Sequence, residues 1–405
     1  MAGAFAIAAA SWFVGKWCIA NSAVQRADTA ELAVYLTQLA PDDPQAHHRA
    51  AVLFERNFDL AEVQKAAAEF EKAAALSPEN YMMWLDLGRA RERTGDAEGA
   101  ERALRHALLL APNYSRVQWT LGNALLRQGR VEEAFDYISK AVAGDATLAG
   151  PAAVAAWQFF DGDVAAIRRA ITNSMAFDGA LAVHLAREKR FDEAVAIWDS
   201  FPANEKKSSL KEVGTNLLGK LLEAKKFRDS IRVVGSLNDG GGEKPGVVSN
   251  GGFEKPVRPD GAGPFEWQIP AGLQPQIVLT TGQKHGGENS LLLVFNSTDG
   301  KEFRRVSQTI AVEPGKSYIL EFFYRADIKT NTSFSWEVLN AADGKQIAVT
   351  APIAPRADWT PLSVKFTTNG DADGVTIRLT RSECTGVCPV TGSIWFDDFS
   401  LRLAD

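Results

Sequence analysis

The sequence is poor in the residues from which metal centres and nucleophilic active sites are commonly built. Its 405 residues include only three cysteines, five histidines and four methionines. A Cys/His zinc array and a framework of several disulfides are therefore excluded, whereas a single bridge or an oxygen-ligand metal site is not. The chain also lacks an excess of basic residues, because 44 Lys and Arg stand against 50 Asp and Glu. A nucleic-acid partner is accordingly not expected.

The remaining composition is that of an ordinary globular protein. Apolar residues make up 46% of the chain, charged residues 23% and aromatic residues 9%, and 33 residues are glycine. These proportions exclude the disordered and fibrous classes, and the length predicts two or three domains. Catalysis that depends on histidine or cysteine is not expected at this composition.

The N-terminal segment is apolar, and its first 24 residues carry one charge, at Lys16. At about 1.5 Å per helical residue it is just long enough to cross a bilayer core of about 30 Å. We therefore expect residues 1–25 to be a signal or membrane anchor, with a buried first helix as the alternative. The basic residue Arg26 follows the segment and none precedes it, which is the reverse of the bias expected for an exported C-terminus.

Two cysteines lie close together in a turn-rich stretch near the C-terminus. Cys384 and Cys388 are separated by three residues that include a glycine, and no histidine lies nearby to complete a metal site. This spacing favours a disulfide. Because disulfides persist in oxidising compartments, the pair agrees with export. The two signals together predict a location in the cell envelope, on the periplasmic side and anchored in the inner membrane.

Residues in the N-terminal half recur at offsets of 34 positions. The recurring residues are small, apolar or proline: Gly88 and Gly122, Gly95 and Gly129, Ala100 and Ala134, Leu104 and Ile138, Pro78 and Pro112. A fixed period of this length indicates a repeat array. Small residues at Gly88 and Ala100 let two helices approach closely, and Gly95 permits the turn between them.

The repeated positions match a known signature, and residues 45–237 resemble tetratricopeptide repeats. Three units are clear, at 47–80, 81–114 and 115–148, and degenerate units follow. The resemblance implies an α-solenoid whose groove holds a protein partner. Candidate groove residues on the first helices of the units are Arg89, Gln118 and Asn123. A merely solvated helix face is the alternative interpretation.

Helical periodicity stops at residues 238–246, a glycine-rich stretch that we interpret as a linker. Short β-rich runs bounded by turn residues follow it. They lie at residues 277–280, 290–295, 304–312, 318–325, 333–339, 362–367, 374–379 and 393–403. The fold class predicted for the whole chain is therefore α followed by β, with an antiparallel β-sandwich over residues 247–403.

Several segments of this β-region match one pattern. They are Asn250-Gly-Gly-Phe-Glu254, His285-Gly-Gly-Glu-Asn-Ser-Leu291, Val312-Glu-Pro-Gly-Lys-Ser-Tyr318 and Gly392-Ser-Ile-Trp-Phe-Asp-Asp-Phe-Ser-Leu401. They resemble the jelly-roll carbohydrate-binding modules of the galactose-binding-like superfamily. The resemblance is specific for the fold and less so for the ligand, since members of this superfamily bind glycan, protein or nothing known.

In such modules a structural calcium ion often connects the first strand to the last. Carried over by motif position, Glu254 and Asp398 would supply carboxylate oxygens, and backbone carbonyls near Lys255 and Gly287 would complete a set of about six to eight oxygens. The adjacent Asp397 is expected to point to the opposite face of the strand. A hydrogen-bonded strand end without metal is the alternative.

Sugar binding requires exposed aromatic rings, because the apolar side of a pyranose packs on them while polar groups hold the hydroxyls. We expect Tyr324, Trp336 and Trp359 to provide the rings, with Arg325 and Gln308 as polar neighbours. Trp267 and Trp395 are expected in the core. The alternative is that all of these aromatic residues are core residues.

Two interaction modules without a catalytic set predict a non-catalytic, exported envelope adaptor. Its repeats would bind a protein, and its sandwich would bind glycan or protein, in exopolysaccharide or envelope assembly. One alternative is a glycan-active hydrolase with an appended repeat array, since carboxylates such as Glu254, Glu321, Glu337 and Asp398 are available. The other alternative is a structural spacer.

Overall fold

The computed structural model describes residues 12–404 except residues 13, 17, 19–21, 25, 57–58, 173, 239–243 and 383–385. The chain divides into two compact units, Met1–His184 and Leu185–Asp405. The residue pattern placed the main boundary at 238–246, and most of that stretch lies outside the described residues. The division within the helical region groups the last helices with the β-sandwich.

Helices packed in consecutive pairs build the first unit. They are α1 Ala30–Leu39, α2 Pro44–Phe54, α3 Leu60–Leu76, α4 Tyr81–Arg93, α5 Ala97–Leu110, α6 Ser115–Arg127, α7 Val131–Gly144, α8 Ala149–Phe159, α9 Val164–Ala170 and α10 Met175–Arg187, with a short 3₁₀ helix at Ala146–Leu148. The pairs α2/α3, α4/α5 and α6/α7 correspond to the three predicted units, so the repeat prediction is confirmed.

The recurring glycines are explained by close helix contacts and by a left-handed turn. A Cβ atom at Gly88 would lie 2.5 Å from Leu104 Cγ, and one at Gly122 would lie 2.8 Å from Ile138 Cγ1. Gly95 follows α4 with a φ of 83°, a conformation that side-chain-bearing residues avoid. The sequence period therefore reproduces one packing geometry in successive pairs.

Aspartate and asparagine side chains cap the N-termini of several of these helices. Asp43, Asp59, Asn80 and Asp96 each accept a hydrogen bond from a backbone N–H of the first helical turn. Such a cap contributes about 1 kcal/mol to helix stability. The caps thus help to set where each helix of a pair begins.

The second unit begins in the last turn of α10 and continues, within the described residues, with four further helices. They are α11 Phe191–Ser200, α12 Ala203–Lys207, α13 Lys211–Glu223 and α14 Phe227–Leu237. Trp198 is fully buried among them and donates its indole N–H to Ser236 Oγ at 2.9 Å. A Cβ atom at Gly214 would lie 2.5 Å from the Trp198 ring, so α13 approaches α11 closely.

Nine antiparallel strands follow in the described part of the chain. They are β1 Gln276–Thr280, β2 Ser290–Ser297, β3 Ser307–Ala311, β4 Ser317–Ile328, β5 Phe334–Asn340, β6 Gln346–Val349, β7 Arg356–Thr367, β8 Gly374–Arg381 and β9 Val390–Leu403. A five-stranded sheet has the order β1-β2-β9-β4-β7, and a four-stranded sheet has the order β3-β8-β5-β6. The predicted fold class, helical repeats followed by an antiparallel β-sandwich, is confirmed.

The core between the two sheets is aromatic. Trp336 is in contact with Trp267, Phe396 and Phe399, at ring-centroid distances between 4.8 and 5.9 Å. Alternate residues of β4 point into this core, in keeping with the two-residue period of a strand. The same period places the intervening residues of β4 on the outer face of the five-stranded sheet.

Helix α14 packs on the sandwich within the second unit. Phe227, Ile231 and Val234 form a small buried cluster with Phe265 and Ala311. The helix has no side-chain cap of its own, and the backbone N–H of Arg228 donates instead to Asp373 Oδ2 at 3.1 Å. The loop between β7 and β8 therefore caps a helix that lies 145 residues earlier in the chain.

Candidate functional site

Aromatic side chains gather on the outer face of the five-stranded sheet, the side turned away from the four-stranded sheet. Trp395 of β9 is half-buried and stands opposite Arg325 of β4 and Leu292 of β2. These three residues form one row across adjacent strands. Phe323 lies two residues before Arg325 and therefore shares its face.

A histidine from the loop before β2 extends this surface. The imidazole of His285 stacks on the Phe323 ring with a centroid distance of 3.6 Å and an angle of 12°. It also lies 5.8 Å from the Trp359 ring. We call His285, Phe323, Trp359 and Trp395 the aromatic platform. Planar rings on an accessible face are the surface that a pyranose ring packs against.

Polar groups border the aromatic platform. Arg325 forms an ion pair with Asp358, whose carboxylate also accepts the backbone N–H of Trp359 at 3.0 Å. The guanidinium is about one-third exposed and the Asp358 carboxylate is largely exposed. Exposed donors and acceptors beside aromatic rings can hydrogen-bond to the hydroxyl groups of a sugar.

Three of the predicted glycan-binding residues lie in the interior and are corrections. Trp336 is 0% exposed and Tyr324 is 4% exposed, and the Tyr324 hydroxyl accepts the backbone N–H of Ala354 at 3.2 Å. Gln308 is also fully buried, and its amide makes two hydrogen bonds to the backbone of Ser249. These side chains stabilise the core and do not present a surface to a ligand.

Two predicted residues do lie on the outer face, and the platform contains residues that the prediction missed. Arg325 and Trp359 both lie there, whereas Trp395, expected in the core, is half-buried on this face. Trp267 is buried as expected. The signal for Phe323 and Trp395 was strand alternation, since each lies one residue from a core residue of its strand.

The carboxylates of Glu254 and Asp398 converge on the turn at Gly286 and Gly287. Glu254 Oε1 accepts backbone N–H groups of Glu288 and Asn289 at 2.9 and 3.2 Å. A Cβ atom at Gly287 would lie 2.0 Å from Glu254 Oε1, and one at Gly286 would lie 2.6 Å from Asp398 Oδ2. Only glycine leaves room for both carboxylates at this turn.

A β-bulge brings the carboxylate of Asp397 to the loop that contains His285 and Gly286. The register of β9 against β4 shifts between Asp397 and Ser400, and Asp398 has a φ of 51°. Asp397 Oδ2 accepts the backbone N–H groups of His285 and Gly286, while Asp398 Oδ2 lies 2.7 Å from His285 Nδ1. The expectation that Asp397 and Asp398 point to opposite faces is therefore wrong, because the bulge breaks the alternation.

The surroundings of these carboxylates shift their acidity in different directions. Hydrogen bonds from the backbone N–H groups of Asn289 and Glu288 lower the pKa of Glu254. Burial raises the pKa of Asp397, against the effect of the N–H groups that it accepts. Glu254 is therefore a stronger acid than an ordinary glutamate, and Asp397 is a weaker acid than an ordinary aspartate.

The oxygen atoms at this turn decide whether calcium could bind there. Glu254 and Asp398 place carboxylates at this turn. The Lys255 carbonyl accepts the Asn250 amide at 2.8 Å, which leaves one of its two lone pairs. Asp397 is occupied by backbone donors. Within the described residues, no group of three or more His, Cys, Asp or Glu side chains is arranged to hold a metal ion. A calcium site here would therefore depend on backbone carbonyls, which are oxygen ligands that calcium accepts.

Two of the glutamates available for hydrolysis, Glu321 and Glu337, lie on different sheets. Glu337 of β5 pairs with Arg378 at 2.6 Å on the outer face of the four-stranded sheet. Glu321 of β4 lies on the outer face of the five-stranded sheet. These two glutamates therefore lie on opposite outer faces of the sandwich and cannot flank one glycosidic bond.

In the repeat array, Arg89 of α4 and Asn123 of α6 line one cavity of about 530 Å³. Gln118 does not belong to it and is a correction. This side chain is 6% exposed, and its amide donates to the Pro112 carbonyl at 2.7 Å, which fixes the start of α6.

Two predictions fall on residues outside the described part of the chain. Cys384 is one of these residues, so the bridge to Cys388 stays a prediction. Most of the segment 1–25 is also outside. Among the helices that are described, none has the length and apolar character needed to span a bilayer.

Two families match parts of the chain. Residues 246–383 match the family described as a carbohydrate binding domain. Residues 52–115 and 85–149 match the family described as a tetratricopeptide repeat. No curated protein sequence matches the chain.

Solved structures resemble each half at low identity. One described as "CBM4 structure and function" is 19% identical, with a TM-score of 0.29, and the match covers 39% of this chain and 99% of that one. The CBM22-1-GH10 modules of an endo-1,4-beta-D-xylanase from Clostridium thermocellum, complexed with xylohexaose, are 17% identical with a TM-score of 0.29, over 39% of this chain and 29% of that one. MamA is 13% identical with a TM-score of 0.29, over 49% of this chain and 89% of that one.

Proposed function

Because the chain carries tetratricopeptide repeats followed by a carbohydrate-binding domain, we propose that it is a non-catalytic adaptor. In this proposal the sandwich binds a glycan on the aromatic platform, and the repeat groove binds a protein. The adaptor acts in exopolysaccharide or cell-envelope assembly, on the periplasmic side of the inner membrane, with residues 1–25 as its anchor.

The aromatic platform is the observation that supports glycan binding. Its four rings, His285, Phe323, Trp359 and Trp395, lie on one outer face and are bordered by the Arg325–Asp358 pair. The opposite outer face carries Thr and Arg side chains along β8, and this described strand contains no aromatic residue. Sugar rings stack on aromatic faces, so the five-stranded sheet is the better surface.

Replacing Trp395 with alanine is expected to weaken glycan binding about tenfold, because a stacking ring is lost. The full chain would be tested against a panel of soluble neutral and acidic polysaccharides by affinity electrophoresis. Tyr35→Ala, which removes an exposed aromatic side chain from α1, is the matched control. Equal retardation of both variants and the unmodified chain would contradict the assignment of this face.

We also propose that Glu254 and Asp398, with backbone carbonyls near Lys255 and Gly287, hold a structural calcium ion. Calcium would be expected to raise the temperature of unfolding of the sandwich, since a ligand of the folded state stabilises it. Glu254→Gln and Asp398→Asn should abolish the increase, and Asp371→Asn, a change of an exposed carboxylate, should preserve it. An unfolding temperature that is the same in calcium and in chelator would refute the site.

Export is supported by the apolar N-terminal segment and by the predicted pair of cysteines. A C-terminal fusion to a reporter enzyme that folds only when its disulfides form would test it. Reporter activity that is lost when residues 1–25 are deleted is the expected result. An inactive reporter on the complete chain would show that the C-terminus stays in a reducing compartment.

A further inference from the structure

The cavity of about 530 Å³ in the repeat array is rich in arginine. It opens between the first helices of two successive units, α4 and α6, and its lining includes Arg89, Arg93, Arg116, Trp119, Asn123 and Arg127. This concentration of guanidinium groups stands out in a chain whose formal net charge is −6. The ligand that this cavity can bind depends on how many of these guanidinium groups already have hydrogen-bond acceptors within the protein.

Two of the arginines are used within the array. Arg127 makes three hydrogen bonds to the carboxylate of Glu92, at 2.6, 2.7 and 3.1 Å. Arg93 pairs with Glu55 at 2.5 Å. Both pairs connect successive units, so these arginines hold the walls of the groove together.

The other two arginines keep most of their donors. Arg89 makes one hydrogen bond, at 3.3 Å, to Asp86, whose second oxygen lies 2.9 Å from His48 Nε2. Arg116 is exposed, and within the described residues it forms no ion pair. A guanidinium has five N–H donors and no acceptor. Arg89 and Arg116 therefore offer donors that a bound molecule could satisfy.

The groove offers few acceptors in return. The carboxylates of Glu55, Asp86 and Glu92 already accept from Arg93, Arg89 and Arg127, respectively. Beside the free donors lies the half-buried ring of Trp119. The Asn123 amide nitrogen donates to the Trp119 carbonyl at 2.8 Å, which leaves its oxygen as an acceptor for a peptide N–H. A ligand must therefore supply several acceptors, an apolar group and at most a few N–H donors.

We propose that this groove binds an acidic peptide segment of the protein partner. A side-chain carboxylate of the segment pairs with Arg116 and Arg89, and an apolar side chain next to it packs on Trp119. The segment's backbone lies against Asn123. This inference rests on the proposed function, which assigns a protein to the groove, and adds the chemistry of its occupant.

A nucleic acid matches the groove less well than an acidic peptide. Polyanion binding depends on neutralising a row of phosphates with many cations. Of the four arginines in the described lining, Arg93, Arg127 and Arg89 already face carboxylates, and Arg116 alone has no ion pair. The overall negative charge of the chain also repels a polyanion. A segment with one or two carboxylates requires no more than Arg89 and Arg116 provide.

Fluorescein-labelled peptides of about ten residues would be titrated with the full chain at low ionic strength, with fluorescence anisotropy as the readout. The three peptides have leucine at the same positions, and their other positions carry Glu in the first, Gln in the second and Lys in the third. The Glu peptide is expected to bind, with an affinity that falls as salt is added. Arg116→Ala should weaken binding about tenfold, because a charge-assisted hydrogen bond is lost.

Arg102→Ala is the matched control, since Arg102 is an exposed arginine of α5 and does not line the cavity. Circular dichroism would verify that Arg116→Ala keeps its helices, as expected for an exposed side chain. Equal losses in both variants would reduce the binding to unspecific charge attraction and would overturn the inference.

The remaining outcomes separate the inference from the proposed function. Binding of the Gln or Lys peptide with equal affinity, and with dependence on Trp119, would refute acidic selectivity and leave a peptide groove. Failure of all three peptides at about 1 mM would count against both. An oligothymidylate that binds more tightly than the Glu peptide and depends on Arg116 would replace the peptide with a nucleic acid.

Discussion

At the scale of single residues, His47 makes two hydrogen bonds that require a protonated imidazole. Its Nδ1 lies 2.5 Å from Glu69 Oε2, and its Nε2 lies 2.9 Å from the Pro41 carbonyl oxygen. An ionised carboxylate and a carbonyl can only accept, so both ring nitrogens must donate. The side chain is 7% exposed, and Lys72 is the other charged group at the pair, bound to Glu69 at 2.8 Å.

The first helices of the array should therefore lose stability as the pH rises. The hydrogen bond to Glu69 raises the pKa of His47 above its ordinary value. Its contribution is fully present below about pH 6.5, the pKa of an unfolded histidine, and is lost as the pH rises through the folded-state pKa. Amide hydrogen exchange of α2 would measure the change, with lower protection factors expected above that pKa once the base-catalysed rise of the intrinsic exchange rate is divided out.

The variant His47→Gln serves as the comparison, because the glutamine side chain donates hydrogen bonds from one nitrogen only and does not titrate. We expect α2 to be less stable in this variant at low pH and to respond less to pH. A pH response that is unchanged by the substitution would show that other groups, and not His47, are responsible.

At the scale of secondary-structure elements, the contact of α14 with the sandwich should contribute strongly to the stability of the second unit. Phe227→Ala is expected to destabilise that unit by about 3 kcal/mol, since it removes a buried ring from the cluster with Phe265 and Ala311. Chemical unfolding followed by tryptophan fluorescence would report it.

Leu403→Ala is a suitable control, because Leu403 is a half-exposed apolar residue at the end of β9. We expect it to change the free energy of unfolding by less than about 1 kcal/mol. If Phe227→Ala were equally mild, α14 would not share a core with the sandwich.

The elements themselves were largely predictable, whereas the surface that they present was not. The 34-residue period gave the helix pairs, and alternating β-rich runs gave eight strands, while the ninth, Gln346–Val349, is too short to show a pattern. Tyr324 and Trp336 were assigned to the glycan face because their residue type suits it. Their burial follows from the alternation of inward and outward side chains along a strand. The β-bulge at Asp397 interrupts this alternation in β9, and the β-propensity of the residues does not indicate where a bulge occurs.

At the scale of the whole molecule, sequence reasoning identified two kinds of module and underestimated how the second unit is built. The contact between Arg228 and Asp373 joins residues 145 positions apart, and no local pattern in the sequence predicts such a pairing. The helices up to Leu237 look like degenerate repeats by their spacing, yet Phe227 and Ile231 bury their side chains against the sandwich. Local periodicity predicts which elements form, and long-range contacts decide which compact unit they join.

The shared core of α14 and the sandwich limits how this protein can be rearranged in evolution. A recombination event that moved residues 245–405 to another gene would expose Phe265 and Ala311 to solvent. It would also expose the apolar face of α14 at the C-terminus of the protein left behind. The segment that could be transferred as an intact compact unit is longer and begins at Leu185. Homologous sandwiches that occur without the helices of this unit should accordingly have polar residues at the positions of Phe265 and Ala311.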